Sequence, residues 1–346
     1  MNDLSHLVAT APHCDDGDRG LSLAHHDFTD LFISRDPEFL NSARGLRKNV
    51  DDINHTSRQI SALPPGLQED AEHLLKRVEE VFSDEGKPEF VLGYDGIIYR
   101  CALISGALGN GSAARHWCLR QVGSKLPDLT GLSLATDTVV SLRKAGNHRG
   151  LVVVSGFFGS GKSSTAAATL VDWVKTHQQS AVTFEDPPEF PISKSYEGGG
   201  IIHQVPYKEG DLSQLVARSK RWAPRYVMFG EIRDSITAVE ALQTSVTGPM
   251  VICTIHAIDL IQALATIARY ASKHMPADEA RQMLGASLRL ILHQDLVAGR
   301  PVVRKFSLMQ QDSSAIRNKI ENGKFSSLRD DLGDAEGGGS NGIRHL

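Results

Sequence analysis

The 346-residue sequence is poor in cysteine, in net charge and in long apolar runs. Its four cysteines, Cys14, Cys101, Cys118 and Cys253, show no metal-ligand spacing, which argues against a zinc domain or a disulfide-rich scaffold and favours a reduced, intracellular protein. No apolar stretch approaches the ~20 residues of a membrane-spanning helix, and the N-terminus has no basic and then apolar signal. Any membrane association is therefore expected to come through partners.

The charge balance gives no sign of a nucleic-acid-binding protein. The formal net charge is −4 and the sequence pI is near 6.4, whereas nucleic-acid binders carry a basic surface. Nucleic acid is therefore not expected as a direct ligand, although local basic patches stay open. Hydrophobic residues make up 41% of the chain and charged residues 23%, as in ordinary globular proteins, and the length suffices for two domains.

One glycine-rich stretch carries the strongest chemical signal. Residues 156–163, Gly-Phe-Phe-Gly-Ser-Gly-Lys-Ser, fit the pattern G-x-x-x-x-G-K-[ST]. An aliphatic run at 151–154 precedes it and is typical of a buried parallel strand, and apolar residues at helical spacing follow over 164–178. Strand, glycine loop and helix are the context of a phosphate-binding P-loop, so the stretch predicts a nucleotide site.

The chemistry expected of this loop follows from its backbone and two side chains. Glycines let successive N–H groups turn toward the β- and γ-phosphates, and the following helix points its positive end at them. Lys162 adds a positive charge, and Ser163 is placed to hold Mg²⁺. ATP and Mg²⁺ are therefore the predicted cofactors. The predicted nucleotide-binding residues are Gly156, Gly159, Ser160, Gly161, Lys162, Ser163 and Ser164.

Strands and helices alternate after the P-loop helix. Three further apolar strands are predicted between residues 181 and 255, each followed by a helical pattern. This alternation implies a parallel sheet with right-handed crossovers, in which ligands bind at the carboxyl ends of the strands. Glu185, Glu231 and His256 stand at such ends, as does the P-loop, so we expect the four to converge.

Catalytic roles are predicted for these three residues and for Lys162. Many P-loop enzymes have Asp where this chain has Gly230, so Glu231 is expected to act on Mg²⁺ or on its bound waters. Glu185 is free to act on the attacking water, and His256 is a candidate γ-phosphate sensor. Which acid is the general base stays open, and the alternative for each acid is a solvated loop residue or a helix cap.

The region before the P-loop predicts a smaller α+β domain. Its pattern contains a strand at 28–33, an amphipathic helix at 64–82, and a hairpin at 90–99 that turns at Asp95-Gly96. A further strand is expected at 117–122.

Four motifs, in order and spacing, resemble those of the type II/type IV secretion ATPase superfamily. They match its Walker A loop, Asp box, Walker B segment and His box, and they are residues 156–163, 185–189 (Glu-Asp-Pro-Pro-Glu), 230–234 (Gly-Glu-Ile-Arg-Asp) and 254–256 (Thr-Ile-His). Residues 315–318, Ala-Ile-Arg-Asn, resemble a C-terminal segment typical of PilT-like retraction motors. The resemblance covers about residues 150–324 well and the N-terminal region weakly.

The resemblance implies a fold class and an assembly. Members are hexameric rings whose subunits join a PAS-like N-terminal domain to a RecA-like P-loop ATPase domain, so the expected fold class is α/β with a parallel sheet. Arginines of the N-terminal domain reach toward the phosphates; the matching catalytic candidates are Arg100 and Arg120, with a surface ion pair as the alternative. A flexible connection near Gly146-Asn147 is expected to let them move.

The resemblance also implies a function and partners. We expect a hexameric ATPase motor of a type IV secretion, conjugation or type IV pilus machine; the alternative is a nucleotide-binding regulatory or assembly subunit with little hydrolysis. Implied partners are copies of the chain and inner-membrane platform or secretion proteins, and the implied location is cytoplasmic, peripheral to the inner membrane. Departures from the family pattern, such as Phe157-Phe158 in place of small residues, leave a DotB-like or plasmid-transfer ATPase as plausible as a pilus motor.

The expected domains are a flexible N-terminus (1–26), a PAS-like domain (27–145), the ATPase domain with a C-terminal helical segment (146–325) and a disordered tail (326–346).

Overall fold

The chain divides into two compact units, Met1–Ser124 and Lys125–Leu346. The computed structural model describes residues 22–23, 26, 28, 30–36, 39, 41–44, 60–107, 113–122, 126–208, 210–309 and 313–329. Most of the predicted flexible N-terminus and of the predicted disordered tail lies outside these residues. At the edges of those two segments, Leu23 and Leu328 are both buried in hydrophobic cores.

The first unit is a six-stranded antiparallel sheet in the described residues. Its strands are β1 (Asp30–Ser34), β2 (Ser42–Arg44), β3 (Ile60–Ala62), β4 (Glu89–Tyr94), β5 (Ile97–Ala107) and β6 (Ala113–Val122), in the spatial order β3-β2-β1-β6-β5-β4. Helix α1 (Pro65–Glu85) buries one apolar face that includes Leu67, Leu74 and Val78. The predicted helix and the predicted hairpin are confirmed, and both Asp95 and Gly96 have the positive φ of a tight hairpin turn.

The second unit is an eight-stranded sheet with helices on both faces, counted over the described residues. Its strands are β7 (Gly150–Gly156), β8 (Ser180–Glu185), β9 (Lys194–Ser195), β10 (Ile201–Pro206), β11 (Tyr226–Phe229), β12 (Met250–His256), β13 (Leu288–Val297) and β14 (Arg300–Ser307). The spatial order is β14-β13-β7-β12-β11-β8-β10-β9, and the six strands from β13 to β10 are parallel. The antiparallel β9 and β14 close the two edges.

Helices of the second unit cover both faces of this sheet. They are α2 (Thr136–Ala145), α3 (Lys162–His177), α4 (Leu212–Ser219), α5 (Ser235–Thr247), α6 (Leu260–Ala271), α7 (Ala277–Ser287) and α8 (Ser314–Glu321), with short 3-10 helices at Leu129–Leu132, Lys220–Trp222 and Phe325–Ser327. Neighbouring residues of β7 enter different cores: Leu151 and Val153 pack in one, Val152 and Val154 in the other. A strand buried on both faces explains the unbroken aliphatic run before the P-loop. The structure thus confirms the predicted α/β class, a RecA-like domain preceded by a smaller domain.

The division between the units lies earlier than the predicted boundary at 145/146. Residues of α2 belong to the second unit, because Leu142 packs in a core of that unit and its carbonyl accepts a hydrogen bond from Trp173 Nε1 at 2.8 Å. Gly146 lies against the same indole: a Cβ at this position would sit 2.5 Å from the Trp173 ring. The carbonyl of Gly146 also accepts from the Tyr226 hydroxyl at 3.1 Å. The connection expected to be flexible near Gly146-Asn147 is therefore packed into the second unit.

No helix among the residues that the structure describes is both long and apolar enough to cross a membrane.

Candidate active site

The P-loop joins the end of β7 to the start of α3, as the motif predicts. Gly156 has φ 151° and Gly161 φ 84°, values that favour glycine. There is no room for a side chain at either position, because a Cβ would lie 2.2 Å from the Gln294 carbonyl oxygen at Gly156 and 2.8 Å from Gln294 Nε2 at Gly161. The glycines therefore allow the loop to pack directly against β13.

Gln294 of β13 holds the loop from behind. It lies opposite Gly156 in the parallel β13–β7 pair and is buried. Its Nε2 donates to the Ser160 carbonyl at 2.6 Å, and its Oε1 accepts from Thr165 Oγ1 at 2.8 Å. The amide thus ties the loop to the first turns of α3. Sequence reasoning missed this residue.

Lys162 lies at the first position of α3 and is 6% exposed. Its Nζ donates to the Phe157 carbonyl at 2.7 Å and lies 3.3 Å from His256 Nδ1. Burial lowers the pKa of this ammonium group to about 8, against the opposing influence of Glu231 and Glu189. A buried cation of this kind is suited to an anionic ligand.

Two further features of the loop fit a bound phosphate. Ser160 Oγ is buried and has no hydrogen-bond partner in the described part of the chain, so it can donate to a phosphate oxygen. Ser163 and Ser164 follow Lys162 in the first turn of α3, where helix N–H groups favour anions. The loop therefore has the donors that ATP phosphates require.

His256 links Lys162 to Glu231. It ends β12, opposite Gly156 in the β12–β7 pair, and its Nε2 lies 3.0 Å from Glu231 Oε1. Donation from Nε2 to the carboxylate and acceptance at Nδ1 from Lys162 suit a neutral imidazole. Burial, followed by the charge of Lys162, lowers the pKa of His256, while Glu231 opposes the shift. Phe158 stacks on the imidazole with a centroid separation of 3.6 Å.

Glu185 ends β8 and is only 6% exposed. Burial raises the pKa of its carboxyl, and hydrogen bonds from Thr183 Oγ1 (2.6 Å) and Gln204 Nε2 (3.0 Å) act against that shift. The same side chain explains the glycine of the Walker B segment. A Cβ at Gly230 would lie 3.0 Å from Glu185 Cγ, so a side chain at position 230 would press against Glu185 and shift it by a few tenths of an ångström.

Ser163 and Glu231 offer oxygen atoms of the kind that Mg²⁺ prefers, a hydroxyl and a carboxylate. The described residues contain no cluster of three or more His, Cys, Asp or Glu side chains that could hold a metal ion. A Mg²⁺ ion that binds nucleotide phosphates keeps several of its waters, so it needs only one or two ligands from the protein. The residues present fit such an ion, and its binding would supply positive charge beside the phosphates.

Arg233 joins the Asp box to the Walker B segment. Its guanidinium pairs with the Asp186 carboxylate, while Asp234 caps α5 by accepting from the Thr237 N–H at 2.8 Å. Both contacts fix the loop that follows β11 and carries Glu231.

Arg100 and Arg120 lie in the first unit, directly opposite each other on β5 and β6. Arg120 Nε pairs with Asp30 at 2.8 Å, and Arg44 pairs with the other oxygen of the same carboxylate at 3.0 Å. Asp30 is 1% exposed, so one buried carboxylate holds two arginines. The P-loop belongs to the second unit, and the catalytic role of Arg100 and Arg120 therefore stays a prediction.

Fold and site together define a P-loop nucleotide-binding protein of the RecA-like type. A family model described as "Type II/IV secretion system protein" matches residues 84–325, and the chain belongs to this family.

The chain matches individual relatives over only part of the length of each relative. The chain is 32% identical over 235 residues to the uncharacterized protein YggR of Escherichia coli K12, covering 64% of this chain and 67% of that protein. It is also 32% identical over 205 residues to the type IV pilus retraction ATPase PilT of Pseudomonas aeruginosa, covering 57% and 56%. The match thus spans two thirds of the first relative and little more than half of the second.

Two solved structures share the fold. The pilus retraction motor PilT with bound ADP superposes with a TM-score of 0.64 at 22% identity, covering 88% of this chain and 85% of that chain. The ATPase DotB of Legionella pneumophila superposes with a TM-score of 0.62 at 18% identity, covering 87% and 84%. At these identities the likeness establishes the fold alone.

Proposed function

We propose that the protein is an ATP hydrolase that drives a type II/IV secretion or pilus machine. The observation that carries the proposal is the contact chain Lys162–His256–Glu231 at the P-loop, with buried Glu185 at the end of another strand of the same sheet. Lys162 neutralises charge on the phosphates, and Ser163 and Glu231 hold Mg²⁺ or its waters. His256 senses the γ-phosphate. Glu185 orients and deprotonates the attacking water.

The active form is a ring, most simply a hexamer, in which arginines of the N-terminal unit complete the site. Negative charge builds up on the γ-phosphate in the transition state, and Lys162 and Mg²⁺ neutralise only part of it. P-loop enzymes commonly add an arginine that stabilises the remaining charge. Arg100 and Arg120 are the candidates. They lie directly opposite each other on neighbouring strands, which places two positive charges on one face of the sheet, and Arg120 is held there by Asp30.

One relative is a type IV pilus retraction ATPase, and the family model is described as a type II/IV secretion system protein, so the family covers both kinds of machine. We place the protein at the inner face of the inner membrane, bound through platform or secretion proteins of such a machine. A type IV secretion or conjugation machine fits this family as well as a pilus does.

Phosphate release by the purified full-length protein tests the enzymatic proposal. We expect Mg²⁺-dependent hydrolysis that falls about a hundredfold in Lys162→Ala, because one preorganised charge on the phosphates contributes on the order of 3 kcal/mol. Lys175→Ala is the matched control, since Lys175 lies on the same helix and pairs only loosely with Asp128, at 3.5 Å. Equal rates for the wild type and Lys162→Ala would contradict the proposal and favour a nucleotide-binding assembly subunit.

A further inference from the structure

Gln204, on β10, makes four hydrogen bonds that fix the orientation of its amide. Its Oε1 accepts from the N–H groups of Ile192 and Ser193, both at 2.9 Å. Its Nε2 donates to the Phe190 carbonyl at 2.9 Å and to Glu185 Oε1 at 3.0 Å. A glutamine amide offers two donors and two acceptor sites, so all four are used. The two backbone N–H groups require the oxygen, and the amine must therefore face Glu185.

A second donor reaches the same oxygen of Glu185. Thr183 Oγ1 lies 2.6 Å from Oε1, and Thr183 is fully buried. Thr183 and Gln204 are direct partners in the parallel pair of β8 and β10. Their side chains therefore converge on one carboxylate oxygen from two adjacent strands, and neither of them contacts the other oxygen, Oε2. The carboxylate also accepts from the Glu189 backbone N–H, which comes from the loop after β8.

We propose that Gln204 and Thr183 are positioning residues that hold Oε1 of Glu185, so that Oε2 is presented to the attacking water. The inference rests on the proposed ATPase function and deepens it. A carboxylate that rotated freely would meet the water in a productive geometry for only part of the time. Gln204 also binds the backbone of residues 190–193, so rotation of the carboxylate is coupled to this segment.

Steady-state phosphate release and nucleotide titration test the inference together. Gln204→Met keeps the side-chain length without the amide, and Thr183→Val keeps the branched shape without the hydroxyl. We expect each to lower kcat about tenfold, a part of the hundredfold or more that a general base contributes, while the Kd for a fluorescent ATP analogue changes less than about twofold. Thr183→Ser restores the donor and should recover most of kcat.

A matched control separates this effect from a general change in the segment. Tyr196→Phe alters the same segment, since the Tyr196 hydroxyl donates to the Ile192 carbonyl at 2.9 Å, but this hydroxyl bonds neither Gln204 nor Glu185. We expect a kcat within about twofold of the wild type. Thermal unfolding of each variant reports whether it folds, and the comparison of Thr183→Val with Thr183→Ser decides the matter if Gln204→Met does not fold.

The Glu185→Gln background gives the sharpest outcome. If both residues act through the carboxylate, Gln204→Met and Thr183→Val lower the residual rate no further in that background. A further tenfold loss there, or an unchanged kcat in both single variants, would overturn the inference. A wild type no faster than Lys162→Ala would instead contradict the proposed function.

Discussion

Lys162 shows at the residue scale why the P-loop suits an anion. The side chain is almost fully buried, and both hydrogen-bond partners of its Nζ, the Phe157 carbonyl and the His256 imidazole, are neutral. Burial lowers the pKa of the ammonium group to about 8. A phosphate beside Nζ favours the charged form and raises that pKa. The part of ATP affinity that depends on this charge is therefore fully present below pH 8 and declines as the pH rises above it.

Calorimetry of ATP binding checks this linkage directly. At pH 8.5 more than about half of the Lys162 ammonium groups are deprotonated in the free protein, because the pKa is near 8. Binding in two buffers of different ionisation enthalpy should therefore show net uptake of more than about half a proton per site. Lys175→Ala should show the same uptake. Binding without proton uptake at this pH would contradict the assigned environment of Lys162.

The sequence predicted the residues of the site that lie in a motif or at a strand end, but it did not predict the glutamines that hold the loop and Glu185 in place. Lys162, Glu231 and His256 could be predicted because a motif or a strand end marks each of them, and the structure brings their side chains into contact. Gln204 and Gln294 each stand as a polar residue within a strand, which carries no local signature. Their partners lie on other strands, so only the order of strands in the sheet reveals what they hold.

At the scale of elements, α8 is fastened to the strand that supports the P-loop. The Arg317 guanidinium donates to the carbonyls of Gly285, Leu288 (3.2 Å) and Leu308 (3.1 Å). The first two belong to the end of α7 and the start of β13, where helix carbonyls lack partners of their own. The segment that resembles a functional patch of retraction motors thus has a structural role as well.

We expect replacement of Arg317 to lower the stability of the fold more than it lowers ATP turnover. Arg317→Ala leaves several carbonyls without a charged donor, which we expect to cost about 2 kcal/mol of unfolding free energy. Arg317→Lys should recover only part of it, because an ammonium group cannot reproduce the planar fork. Lys324→Ala, at an exposed position nearby, is the control. The measurements are thermal unfolding and ATP turnover well below the midpoint.

An unfolding midpoint unchanged in Arg317→Ala would show that these hydrogen bonds do not stabilise the fold. Near-normal turnover at low temperature combined with loss of secretion or pilus function in cells would support the additional motor role that the resemblance implies.

Elements were predictable where turn residues separate them. The strand–loop–helix unit at the P-loop is marked by glycines, and the hairpin of the first unit by Asp95-Gly96. Helix α7 ends at Ser287 and β13 begins at Leu288, so no turn residue separates the two elements. The sequence therefore gave no prediction for a helix and a strand that together place Gln294 behind the loop.

At the scale of the whole molecule, the assignment of α2 decides where one unit ends. The sequence predicts that this helix is part of the N-terminal domain, which is expected to extend to residue 145. The contact of Leu142 with Trp173 places it in the ATPase unit, and the P-loop strand is thus preceded by its own helix. The division between the units therefore lies before α2.

The residues proposed for catalysis are divided between the two units. The P-loop and its acids lie in the second unit, whereas the arginines proposed to complete the site lie in the first. Arg120 is held by Asp30, so its guanidinium has a defined position on the sheet. In an assembled ring we expect Arg100 and Arg120 to stabilise the transition state, an effect worth roughly a thousandfold in other P-loop enzymes.

The most direct test is phosphate release measured across protein concentration for the wild type and for the double variant Arg100→Ala/Arg120→Ala, with ATP affinity measured in the same samples. We expect the specific activity of the wild type to rise as rings assemble. The double variant should bind ATP nearly normally and lose more than about a hundredfold in turnover. A wild type without hydrolysis at any concentration, or a double variant with unimpaired turnover, would contradict an ATPase completed by both units.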